Sequence, residues 1–181
     1  MISKVGCQSQ PRKYTLRVIT GQQLLKRHSK LCGKTIDPYV RVNIAGEEQD
    51  RFQFETDWVP NNGFNPCWND TTEFTIHNPD VAMIRFAVLN KHDAASNDHL
   101  GQYSLPLSCC QRGYRHINLE DENEKSSTTA SIFVHLDFEV LTKRDVTDNL
   151  LDRVRTQKQN VEKTNKLGKL LSKELRDLSK I

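Results

Sequence analysis

At 181 residues the chain has room for one ordinary domain and an appendage. Apolar residues make up 36% of it and the mean hydropathy is −0.67, which excludes a membrane-spanning helix, because runs such as 132–134 fall far short of roughly 20 residues. The net charge of +3 is unevenly spread: residues 143–181 hold eleven Lys/Arg against six Asp/Glu, a surplus of five that leaves the remainder two charges negative.

Residues 1–11 are polar and read as an N-terminal linker, with no hydrophobic core of the kind a signal peptide carries, so a cytoplasmic protein is expected. Strand character begins at once after it. Tyr14-Thr15-Leu16-Arg17-Val18-Ile19 alternates large and polar residues, and Tyr39-Val40-Arg41-Val42-Asn43-Ile44 does so strictly. Residues 52–56, 72–76, 84–88, 101–105, 114–119 and 131–140 follow the same period of two, for about eight strands. Alternation places one face of each strand in a core and the other in water. With Gly, Pro and Asn between the strands and no helical pattern among them, the expectation is an all-β sandwich over 12–141.

After Val140 the composition changes. Thr147, Leu150, Val154, Gln157, Val161, Thr164, Gly168, Leu171, Leu175 and Leu178 recur at alternating steps of three and four, the seam of a coiled coil. Six of these ten are apolar, so the expectation over 142–181 is one long basic amphipathic helix that needs a helical protein partner. Asp145, Asp148 and Asp152 near its start suit the helix dipole.

The five cysteines, Cys7, Cys32, Cys67, Cys109 and Cys110, form no C-x-x-C pair and are expected to be reduced. The six histidines show no metal-binding spacing, and there is no phosphate-cradling glycine loop or nucleophile elbow. Trp68 and Phe64 read as core and turn packing. The tail has no aromatic residue to stack on bases, which speaks against nucleic acid.

Several motifs stand in a fixed order: Val18-Ile19-Thr20-Gly21-Gln22-Gln23-Leu24, Asp37-Pro38-Tyr39-Val40, Asn61-Asn62-Gly63-Phe64-Asn65-Pro66 with Trp68-Asn69, Gly101-Gln102-Tyr103, Gly113-Tyr114-Arg115-His116 and Phe133-Val134-His135. Together they resemble the C2 domain that follows the catalytic barrel of phosphoinositide-specific phospholipase C, with the delta-like group most similar. The resemblance implies an eight-stranded antiparallel C2 β-sandwich that docks on membranes or proteins and does no covalent chemistry. The catalytic barrel of such an enzyme needs about 250 residues and would precede residue 1. The chain is therefore expected to be a truncated gene product of a phospholipase C or a stand-alone docking module, and not to hydrolyse lipid by itself.

C2 domains carry three loops at one end that hold calcium and touch lipid. The resemblance places the first loop before Asp37, the second around Asn65 and the third over 90–98. Calcium-binding members supply two aspartates one residue apart in the third loop, where this chain has Asn90 and His92. A shifted set of Asp37, Asn65, Asn90, Asp93 and Asp98 would form at most a weakened calcium site, because affinity rises with the number of carboxylates. The first loop instead offers Lys26, Arg27, Lys30 and Lys34, with Leu31 able to insert at an interface. These point to an acidic phospholipid surface and a peripheral membrane location, each basic residue contributing about 1 kcal/mol. The alternative is a non-catalytic adaptor acting through the C-terminal helix.

Overall fold

The computed structural model describes residues 10–24, 36–91, 98–120 and 126–142, together with 144–145, 147–148, 151, 154–159, 161–164 and 166 of the tail. Eight strands are present: β1 (Arg12–Gln22), β2 (Pro38–Ala45), β3 (Phe52–Glu55), β4 (Cys67–Ile76), β5 (Met83–Asn90), β6 (Asp98–Pro106), β7 (Gly113–Glu120) and β8 (Ser126–Val140). All neighbours pair antiparallel, in the order β3-β2-β5-β6-β7-β8-β1-β4. The β6–β7 contact is a single pair, Gln102 opposite Glu120. That one bridge divides the order into two four-stranded sheets, β3-β2-β5-β6 and β7-β8-β1-β4, which enclose the core.

The alternation seen in the sequence is what fills that core. Tyr14, Leu16 and Val18 of β1 are fully buried, as are Val40 and Val42 of β2, Ile84 and Val88 of β5, and Ile132 of β8. Each such residue contributes about 1.5–3 kcal/mol on burial. Tyr14 stacks on Phe74 at 5.3 Å, and Phe74 on Phe52 at 5.0 Å. Phe138 closes the pile and carries the guanidiniums of Arg12 and Arg112 at 4.8 and 4.6 Å from its ring centre. Burial pushes the Tyr14 hydroxyl above its ordinary pKa, with Arg12 opposing.

Two irregularities shape the end at which β1 stops. Ile19 is skipped in the pairing of β1 with both neighbours, while Asn69 of β4 takes a left-handed backbone (φ 59°) and accepts a hydrogen bond from Arg17 Nε at 2.8 Å. Such bulges bend a strand and sharpen its twist.

The sandwich unit ends at Val140 and a second unit begins at Leu141. Thr142 opens it as a capping box: its N–H and hydroxyl donate to Asp145 Oδ2 at 2.7 and 2.6 Å, and the Asp145 N–H returns to the Thr142 hydroxyl at 3.4 Å. The single long helix expected to residue 181, and the coiled coil built on it, are not supported. The longest described helical stretches are short, 154–159 and 161–164. Val154 and Val161 of the expected seam are 61% and 60% exposed, so they bury too little to offset the entropy of ordering a helix. Leu150, Leu171, Leu175 and Leu178 lie outside the described residues.

Candidate functional site

Three connections gather at the end where β1 stops, β2 starts, β4 starts and β5 stops. Their backbones are tied to one another. Gly21 N–H donates to Pro66 O (2.9 Å), Gln23 N–H to Phe64 O (2.7 Å) and Leu24 N–H to Gly63 O (2.8 Å), which binds the exit of β1 to the β3–β4 connection. Val59 N–H and the Trp68 indole both donate to Pro38 O, at 3.1 and 3.0 Å. Trp68 is buried as expected.

Gly63 is required here by close packing. A side chain on it would put a Cβ 2.4 Å from Ile36 Cδ1 and 3.1 Å from the Leu24 carbonyl. Leu24 and Ile36, the described residues on either side of the basic stretch 25–35, both approach this one glycine. Phe64, the next residue, is 71% exposed, which corrects its reading as a turn-packing residue. Its carbonyl is fixed by Gln23 while its ring is left in water. Trp58 on the same connection is 48% exposed. The sequence signal for Phe64 was its place in a six-residue turn between strands, where an aromatic ring has little to pack on.

Asp37 and Asn90 are brought into direct contact. Asn90 Oδ1 accepts the Asp37 N–H at 2.7 Å, Asp37 Oδ1 accepts the Asn61 N–H at 2.7 Å, and the Asp37 carbonyl accepts the Lys91 N–H at 3.0 Å. Asp98 stands opposite Asn90 in the β5–β6 register. Asn65 is used differently: its N–H donates to Asn62 Oδ1 at 3.0 Å, closing the β3–β4 turn on itself. Asp93 lies outside the described residues, as do Lys26, Arg27, Lys30, Leu31 and Lys34.

Calcium takes six to eight oxygens. Of the expected donors, the described residues supply two carboxylates, Asp37 and Asp98, and an Asn90 oxygen that already accepts a backbone N–H. Among the described residues no group of three or more His, Cys, Asp or Glu is gathered as a metal ion would need. The described part of this end thus presents the exposed Phe64 ring on a β3–β4 connection held to the exit of β1 by backbone hydrogen bonds.

At the other end of the sandwich, sequence reading missed a buried carboxylate. Asp50 accepts the His77 N–H at 2.8 Å and the Asn78 N–H at 2.9 Å, and faces His77 Nδ1 at 2.9 Å. It clamps the β2–β3 connection onto the end of β4.

The profile of the C2 domain matches residues 12–124, more than half of the chain. The chain belongs to the C2 family. This C2 domain is 42% identical over 131 residues to mouse 1-phosphatidylinositol 4,5-bisphosphate phosphodiesterase delta-3, covering 72% of the chain and 17% of that protein. It is 45% identical over 121 residues to the human delta-4 enzyme, covering 67% and 16%. The chain thus spans about a sixth of the length of the curated relatives it matches. Among solved structures, the PLC21 of S. officinalis superposes with a TM-score of 0.64 at 25% identity, covering 74% of the chain and 16% of that structure. A C2 domain of plant extended synaptotagmin 1 superposes at 0.60 with 19% identity, covering 75% and 99%. No helix among the described residues is long and apolar enough to cross a membrane.

Proposed function

We infer that this chain is the membrane-docking module of a phosphoinositide phospholipase C, peripheral at the cytoplasmic face of an acidic phospholipid membrane. The hydrolysis of phosphatidylinositol 4,5-bisphosphate named for its relatives would belong to a catalytic barrel with which this module works. The carrying observation is Phe64: an exposed ring at the sandwich end where the stretch bearing Lys26, Arg27, Lys30, Leu31 and Lys34 begins and ends. A ring burying itself at an interface and cations facing anionic headgroups act in the same direction.

The reading includes weak or absent calcium dependence. Asn90 gives the third loop a neutral amide where a carboxylate would serve the ion, and that amide is spent on locking Asp37. A calcium ion bound through Asp37, Asn90, Asp93 and Asp98 would have to compete with those bonds.

Sedimentation of the chain with vesicles tests this, using phosphatidylcholine alone or with phosphatidylserine, and calcium or chelator. Binding only to the acidic vesicles, equal in calcium and chelator, is the expected result. Binding only with calcium would overturn the calcium-independent part, and no binding at all would overturn the docking role. A second reading, a protein adaptor, is favoured by Leu151, Val154 and Val161, which stand exposed at spacings of three and seven in the tail. Deleting 143–181 would then abolish capture of a partner helix and leave vesicle binding unchanged.

A further inference from the structure

The Gly113-Tyr114-Arg115-His116 motif opens β7, away from the loop end, and its surroundings point to a second site. From the one bridge between Gln102 and Glu120, no further pair of described residues joins β6 to β7 as β6 runs on to Pro106 and β7 back to Gly113. The sheets are left unzipped along that edge, and a cleft of about 330 Å³ opens between them. A cavity of that size falls within the range of small-molecule sites.

The cleft takes its apolar walls from inward-facing positions, with Gln111, His116 and Asn118 at its exposed rim. On one wall Ile84 pairs with Leu105 and Phe86 with Tyr103; on the other lie Val134 and Ile117. Ile84, Phe86 and Val134 are buried core residues, so the cleft reaches apolar ground. Arg115 stands opposite Val134 in the β7–β8 register, and therefore at a core-facing position of an edge strand. Its guanidinium donates to the carbonyls of Tyr114 (2.7 Å) and Arg112 (3.0 Å) and, at 3.4 Å, to Gln111 Oε1. All three acceptors are neutral. No acidic side chain lies among the described residues lining the cleft, so the Arg115 charge is uncompensated there. Arg115 and Cys110 both line the cleft, and the guanidinium opposes the burial that pushes the Cys110 thiol up to about 11.

We propose that this cleft binds a single-chain anionic amphiphile, a fatty-acid-like molecule with its alkyl chain between the sheets and its carboxylate on Arg115. Apolar walls supply the affinity, and one guanidinium at the mouth selects the head group. The competing role for an exposed charge at a core-facing register position of an edge strand is to prevent edge-to-edge pairing, with no ligand involved.

The test uses the full chain and dodecanoate below its micelle concentration, followed by calorimetry and by amide shifts in a nitrogen-15 spectrum. Dodecanoate should bind once, saturably, with shifts centred on β6, β7 and Val134. Arg115→Gln should weaken dodecanoate about tenfold and leave neutral dodecanol unchanged. Ile117→Phe, which fills the cleft, should abolish both, with an unchanged urea midpoint showing that the variant folds. Absence of saturable binding, shifts confined to the loop end around Phe64, or equal affinity for Arg115→Gln would overturn the site. Self-association of Arg115→Gln without any loss of dodecanoate affinity would assign the arginine to edge protection alone. Vesicle docking is independent of all these outcomes, since the cleft and the loop end share no residue.

Discussion

Phe64 and Asp50 show what single side chains contribute at the two ends of the sandwich. Phe64 packs on little in the folded chain, so Phe64→Ala should change unfolding stability by no more than about 0.5 kcal/mol. On an acidic vesicle the same change removes an inserting ring worth roughly 1.5–3 kcal/mol, a loss of about ten- to hundredfold in partitioning. Vesicle sedimentation with a parallel urea titration separates the two effects; equal partitioning of wild type and variant would remove Phe64 from the interface. Asp50 behaves in the opposite way. Its buried carboxylate satisfies two backbone N–H groups and faces the His77 ring, so Asp50→Ala should cost roughly 2–4 kcal/mol and leave docking untouched. A urea midpoint within error of wild type would show that water replaces the clamp without cost. Gly63 lies between these cases, since Gly63→Ala would drive a Cβ into Ile36 and disturb the residues flanking the basic stretch along with stability.

Among the elements, the start of the tail makes a prediction in pH. Hydrogen bonds from the Thr142 hydroxyl and then its N–H hold the Asp145 carboxyl below its ordinary pKa. A carboxyl depressed in the folded state adds stability above its unfolded value, near 3.9, and loses it as pH falls through the lower folded value. Helicity of the described residues 144–145 and 147–148, read from carbon chemical shifts, should therefore hold at neutral pH and decline only below about pH 4. Thr142→Ala should lower it at neutral pH, where the bonds to the Asp145 carboxylate are present, and bring the two proteins closer together in acid; a tail whose shifts ignore both would have no working cap. Asp145 was legible in the sequence as an acidic residue at the start of a helix, whereas its bonds to Thr142 and the length of the helix were not. Heptad steps show which residues would share a face, and only a partner surface decides whether that face is buried. The strands were legible because a period of two is local: Val40, Val42 and Ile44 alternate with Arg41 and Asn43 whatever lies beyond. The clasp of Asn90 on Asp37, 53 positions apart, and the single Gln102–Glu120 bridge are matters of register between distant strands, and no local pattern encodes them.

For the whole molecule the proposed docking turns on the balance of charge against apolar insertion at one end. The net charge of +3 is too small to drive docking by itself, and much of the positive charge lies in the tail. The first connection concentrates Lys26, Arg27, Lys30 and Lys34 within nine residues, which amounts to about 4 kcal/mol against an anionic surface at about 1 kcal/mol each. That part is Coulombic and falls as the Debye length shrinks from about 10 Å at 0.1 M salt to about 3 Å at 1 M. The Phe64 part does not, because burial of apolar surface is insensitive to screening. Partitioning onto phosphatidylserine vesicles should therefore drop by about a hundredfold or more between those salt concentrations, roughly 3 kcal/mol, and reach a floor set by Phe64. Neutralising the four basic residues to glutamine should produce that floor already at 0.1 M, and replacing calcium by chelator should shift partitioning less than twofold throughout. A salt-insensitive partition coefficient would place the attraction elsewhere than in the first connection. A calcium requirement that survives in the quadruple variant would instead make Asp37, Asp93 and Asp98 the groups that hold the module on the membrane.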